Sequence, residues 1–187
     1  MSGWIRNFSS ELPIPPRYVA NTTDTFEMTN DCVFTQEFLN KFPRGKVPCV
    51  ELSGGQLLDE SNAAAWWLCP DNMTGSGDRE AQSNILRWIS LAELEVTPAA
   101  CSWVYPLAGV MPASPDMDRG RQDVLAFLSW LDGELRLRTW LVGERISLAD
   151  ISLMTSLLLV FTNALDPAMK VPFMQLITKL NIATVPS

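Results

Sequence analysis

The stretch at residues 151–164 constrains this chain more than any other. It is apolar on nearly all sides, relieved by the small polar residues Ser152, Thr155, Ser156 and Thr162. A helix without a polar face is stable in water only when other helices surround it, so this segment predicts the centre of a helical bundle. Its start is marked by Ser147 and Asp150, three apart. The serine can accept from the Asp150 amide while the aspartate reaches back, and Ile146 and Ile151 are placed to pack as a staple. This spacing reads Ser147 and Asp150 as a structural capping box rather than as catalytic groups.

Two further apolar stripes supply the surrounding helices. From residue 78 on, Ala81, Ile85, Trp88, Ile89, Ala92 and Val96 recur at helical steps, and after Ser114 and Pro115 so do Gly120, Val124, Phe127, Leu128, Leu131 and Leu135. Ser114 is expected to cap the second helix, and the two helices to lie side by side. Pro98 is expected to end or kink the first, with a loop containing Pro106 and Pro112 behind it. Trp103 and Tyr105, read into that loop, are the candidate partner surface. Trp66, Trp67, Trp88 and Trp130 are assigned to packing.

Ahead of the helical part the signals are shorter. Residues 1–33 contain Pro13, Pro15 and Pro16 and a polar run at 21–24, with no sustained period, and are expected to be irregular. Thr35 can cap a short helix through Lys41 with Phe38 and Leu39 inward, broken by Pro43 and Gly45. Residues 46–52 and 56–59 read as two strands about the turn Ser53-Gly54-Gly55, a β-hairpin. Ser61 or Asn62 is expected to cap a helix built on Ala63, Ala64 and Ala65, ending before Pro70. Residues 71–77 read as a linker, which divides the chain into 1–70 and an all-helical 78–187. Past Pro167 the pattern weakens to a short helix at 173–180.

Composition removes several classes of function. The chain has no histidine, which excludes Ser-His-Asp and Cys-His nucleophiles and histidine metal ligands. No metal site is expected, because Cys32, Cys49, Cys69 and Cys101 are too far apart for a zinc pair or a dense disulfide framework. With 21 acidic against 14 basic residues, a formal charge of −7, direct nucleic-acid binding is disfavoured. Residues 153–161 are too short to cross a bilayer, and residues 1–10 lack a signal peptide's apolar run, so a cytoplasmic protein with no membrane contact is expected. Glu93 and Glu95 are expected to be solvated. Arg136, Arg138 and Arg145 can grip an acidic partner, and pairing with a helix C-terminus explains Arg136 and Arg138 as well.

A hairpin, a short helix, a linker and a helical lobe with a capped buried helix follow one another in the order of a glutathione transferase lacking its first strand-helix-strand unit. Val47-Pro48, Glu60-Ser61 and Ser147-x-x-Asp150 carry this resemblance. Residues 42–48, 60–63, 102–106 and 138–145 resemble the glutathione-transferase-like domains of elongation factor 1-gamma, and 97–101 with 165–167 lean toward the related N-terminal domain of valyl-tRNA synthetase. The resemblance covers about residues 34–170. It implies a mainly α fold, a truncated thioredoxin-like hairpin and helix lobe followed by an all-helical bundle. It also implies a cis proline at Pro48 and a vestigial glutathione site at Val47, Pro48, Glu60 and Ser61, with no catalytic residue, since residues 1–33 match no unit bearing a thiolate-stabilising group. The function it implies is a non-catalytic module docking other elongation factor 1 subunits or aminoacyl-tRNA synthetases, with a homodimer as a further expectation. An active or glutathione-binding transferase is the alternative.

Overall fold

A computed structural model describes residues 17–19, 25–27, 36–52, 54–109, 111–113, 115–166 and 170. The chain divides into two compact units, Met1–Cys69 and Pro70–Ser187.

In the first unit, strands β1 (Arg17–Val19) and β2 (Thr25–Glu27) pair antiparallel, with Tyr18 opposite Phe26. The leader expected to be irregular thus contains a ladder. Its three-residue strands are too short to leave an alternating pattern in the sequence. Helix α1 follows (Gln36–Lys41); its expected cap, Thr35, lies outside the described residues. The hairpin forms as read, from β3 (Cys49–Glu51) and β4 (Leu57–Asp59), with Val50 opposite Leu58. Gly55 closes the turn in the left-handed region, at φ 79°, its N–H donating to the Leu52 carbonyl at 2.8 Å. Helix α2 (Ser61–Leu68) packs Ala64 onto Val50 and Leu52, with Leu58 alongside.

The start of α2 differs from the expectation. Neither Ser61 nor Asn62 caps it; Glu60 occupies the N-cap at φ 78° without a side-chain cap bond, and its carbonyl accepts from the Ala64 N–H at 3.0 Å. Strand passes to helix across this single residue, so the reversal falls on Glu60's backbone.

The second unit opens with a helical turn, α3 (Asp71–Thr74), where a linker was expected. Gly75 ends it in the left-handed region, its N–H bonded to the Asp71 carbonyl. Helix α4 (Arg79–Leu91) is capped by Asp78, whose Oδ1 accepts from the Glu80 and Ala81 amides at 3.0 and 3.1 Å. It continues through a π turn at Ala92–Val96 into α5 (Thr97–Leu107). Pro98 therefore does not end the helix. The widened turn just ahead carries the backbone past a residue that lacks an N–H, and the Thr97 hydroxyl donates to the Ala92 carbonyl at 2.8 Å. Pro106 lies inside α5, so the loop expected around it is helix.

Helix α6 (Met117–Leu135) buries Gly120, Val124, Leu128, Leu131 and Leu135, the predicted stripe, and Phe127 is half-buried. Ser114, its expected cap, lies outside the described residues. Helix α7 (Leu148–Asn163) is the buried one. Helix α6 runs mainly along α5 and meets the expected first helix at Trp88, against which Trp130 stacks, and at the π turn, while α4 and α5 both pack on α7. Gly120 permits the approach of α5 to α6, since a Cβ there would stand 2.0 Å from Ser102 Oγ and 2.7 Å from the Ala99 carbonyl oxygen. The helix expected at 173–180 lies outside the described residues.

Candidate functional site

The hairpin brings the first set of candidate residues together. Its ladder ends at Cys49 opposite Asp59, with Pro48 just before the one strand end and Glu60 just after the other, and Ser61 already begins α2. The Val47–Pro48 peptide is cis. Val47 and Pro48 are half-buried, whereas Glu60 and Ser61 are exposed. Arg44 crosses from the preceding loop to pair with Glu60 and, at 3.2 Å, with Asp59 Oδ2, and Lys41 pairs with Glu51 at 2.6 Å. The site is therefore a strand-to-helix corner with an open serine at a helix start and a carboxylate already engaged by the chain's own guanidinium. No side chain of this corner is a nucleophile with an activating base. The Cys49 thiol next to it donates to the Lys46 carbonyl at 2.8 Å, and burial pushes its pKa up.

Asp150 is 6% exposed, and the capping box with Ser147 forms. Asp150 Oδ2 accepts from the Ser147 amide and hydroxyl, each at 2.8 Å, and Oδ1 accepts from the Leu141 amide at 2.9 Å. Besides starting α7, the carboxylate ties down the incoming loop. Ile146 is 42% exposed and does not close over the helix as a buried staple.

Trp103 and Tyr105 do not form a partner surface. Both are in α5, where Trp103 is 3% exposed and part of the core, and Tyr105 is half-buried with its hydroxyl bonded to the Cys101 thiol. Reading Pro106 as a helix breaker concealed this: the π turn keeps the helix going, and helical spacing then points Trp103 inward. Burial raises the pKa of Tyr105, Cys101 and Cys69, so these thiols remain protonated near neutrality. Arg136 and Arg138 pair with Asp132 and Glu134, one turn back on α6, at 3.5 and 3.2 Å, which assigns them to the helix end. Among the described residues no cluster of His, Cys, Asp or Glu can hold a metal, and no helix is long and apolar enough to cross a membrane.

A cleft of about 830 Å³ on the second unit was not anticipated. Leu91, Leu94 and Val96 line one wall and Phe127 and Trp130 the other, with Arg87, Glu95, Asp116, Arg119 and Asp123 among its charged residues. Trp130 stacks on the buried Trp88 at 5.4 Å between ring centroids, and the Arg87 guanidinium lies 5.1 Å from Trp88 and 6.0 Å from Trp130. Leu94 is 73% exposed and Trp130 39%. The available signal was Leu94, an apolar residue off the α4 stripe.

The family model for the glutathione S-transferase C-terminal domain matches residues 96–176. Elongation factor 1-gamma of Drosophila melanogaster is 42% identical over 137 residues, 73% of this chain and 32% of that protein. Elongation factor 1-gamma-B of Xenopus laevis is 38% identical over 161 residues, 84% of this chain and 36% of that protein. The chain thus spans about a third of these relatives. Among solved structures, the GST-like domain of elongation factor 1-gamma from Saccharomyces cerevisiae superposes with a TM-score of 0.69 at 25% identity, covering 78% of this chain and 71% of that one. A glutathione S-transferase from Pseudomonas fluorescens, at 21% identity and a TM-score of 0.68, shares the fold. With its cis Val47–Pro48 peptide, its Glu60-Ser61 corner and its capped buried α7, the chain belongs to the glutathione-transferase-like domains, in the group carried by elongation factor 1-gamma.

Proposed function

We propose that this chain is a non-catalytic protein–protein interaction module of the elongation factor 1 complex, supporting aminoacyl-tRNA delivery by holding other subunits or aminoacyl-tRNA synthetases. The observation that carries this reading is the 38–42% identity to elongation factor 1-gamma proteins over most of the chain. The formal charge of −7 supports protein rather than nucleic-acid partners, and the cytoplasm is the compartment the reading requires. The test is a pull-down from cytosolic extract with the folded chain, read by mass spectrometry. Recovery of elongation factor 1 subunits supports the module. Recovery of valyl-tRNA synthetase partners alone assigns the chain to the synthetase branch, and recovery of neither overturns the reading.

A second reading, glutathione binding at Val47, Pro48, Glu60 and Ser61, is favoured by the exposed Ser61 at the start of α2, where a helix N-terminus can receive a carboxylate. Against it, Glu60 is occupied by Arg44. Millimolar glutathione that leaves the melting temperature unchanged would exclude it, and turnover of an electrophile would replace the module reading with a transferase.

A further inference from the structure

We propose that Thr139, in the loop joining α6 to α7, is a phosphorylation site for a protein kinase that selects its serine or threonine by a preceding arginine. The site lies outside both the hairpin corner and the cleft, and it stands whether or not the chain works as an interaction module.

Arg136, Leu137 and Arg138 precede Thr139, and Trp140 follows it. Kinases of this class carry carboxylates that pair with an arginine three residues before the hydroxyl, and the substrate must lie extended across them. Charge pattern and backbone freedom therefore both decide a site. Among the described residues two hydroxyls stand three residues after an arginine, Ser90 after Arg87 and Thr139 after Arg136. Ser90 is inside α4, whose own hydrogen bonds keep its backbone coiled. Thr139 is in neither helix nor strand.

The loop presents this run outward. Leu137 is 99% exposed, the Arg136 side chain 72%, and Thr139 is exposed, with no hydrogen-bond partner for its hydroxyl among the described residues. Backbone hydrogen bonds fix the segment at its two ends, from the Arg136 N–H to the Gly133 carbonyl at 3.3 Å and from the Leu141 N–H to Asp150 Oδ1 at 2.9 Å. The arginines reach from the surface to Asp132 and Glu134, and ion pairs of this kind are readily exchanged for a kinase's carboxylates. In the reaction the Thr139 hydroxyl oxygen attacks the γ-phosphorus of magnesium-bound ATP. Its new bond replaces the one from that phosphorus to the bridging oxygen, ADP leaves with the electron pair, and the hydroxyl proton passes to the kinase's catalytic carboxylate. The product adds about two negative charges just past the end of α6, beside Arg136 and Arg138, which then exchange Asp132 and Glu134 for the phosphate.

Incubating the 187-residue chain with magnesium ATP and the catalytic domain of a calmodulin-dependent protein kinase tests this. Mass spectrometry is expected to place one phosphoryl group on Thr139, and Thr139→Val to abolish incorporation there. Arg136→Gln should slow it about tenfold or more, because a charge-assisted pair with the kinase is lost. Arg87→Gln, ahead of the helical Ser90, should leave the rate unchanged. All three positions are exposed, and circular dichroism checks that the variants fold. The proposal is overturned by no incorporation while a peptide substrate of the same kinase is turned over, or by phosphate on Ser90 in place of Thr139. An Arg136→Gln variant modified at the original rate, or modification that appears only in the heat-unfolded chain, overturns it equally.

Discussion

At position 150 a carboxylate sits among apolar helices and is tolerated because its oxygens accept three hydrogen bonds from Ser147 and Leu141. Asp150→Ala removes the cap and leaves buried donors unpaired, so denaturant unfolding should show a loss of about 2 kcal/mol or more. Asp150→Asn, which keeps an acceptor, should lose less; a neutral Asp150→Ala would mean that the box does not hold the helix. On α5, burial raises the pKa of the Cys101 thiol from its ordinary 9.0 and also that of the Tyr105 hydroxyl, so the folded chain favours their neutral forms. The unfolded chain ionises first as pH rises. Stability is then full below pH 9 and declines through the alkaline range, and Cys101→Ala with Tyr105→Phe should flatten that decline in urea titrations at pH 8 to 11.

At the level of elements, α5 and α6 approach too closely at Gly120 to admit a side chain. Gly120→Ala should destabilise by about 1–3 kcal/mol through overpacking. Adding Ser102→Ala should recover only part of this, because the Ala99 carbonyl remains in the way; full recovery would place the whole clash on the serine. Both facing stripes, the hairpin and the capped α7 were legible, since long amphipathic periods and a capping box are local signals. What the sequence concealed was how proline and strain resolve. Pro98 and Pro106 signal breaks, yet a π turn absorbs the first and the second sits in the last turn of α5, so Trp103 moves from an expected loop to the core. Ser61 looks like a cap, but Glu60 takes that place through its backbone. The corner at Val47, Pro48, Glu60 and Ser61 was legible only through resemblance, whereas the cleft depends on how α4 and α6 meet, and its one local signal was Leu94, an apolar residue off the stripe.

Across the whole molecule the two units differ in what holds them. Among the described residues of Met1–Cys69, the buried apolar side chains are Val50, Leu52 and Ala64. The ion pairs of Arg44 and Lys41 beside them are exposed to solvent, which screens them and leaves them little share in stability. In Pro70–Ser187 every helix from α4 to α7 contributes buried residues, and Leu153, Leu157 and Val160 of α7 are fully enclosed. Local opening follows local burial, so the two units should not exchange their amides alike. Hydrogen exchange followed by mass spectrometry should find α7 opening only with global unfolding, while β3, β4 and α2 open at a lower free energy. Raising the salt concentration to about 1 M should lower protection further in the first unit, where the exposed ion pairs are screened, and leave α7 unchanged. Equal protection in the hairpin and α7 would mean that the first unit draws stability from contacts other than its own small core.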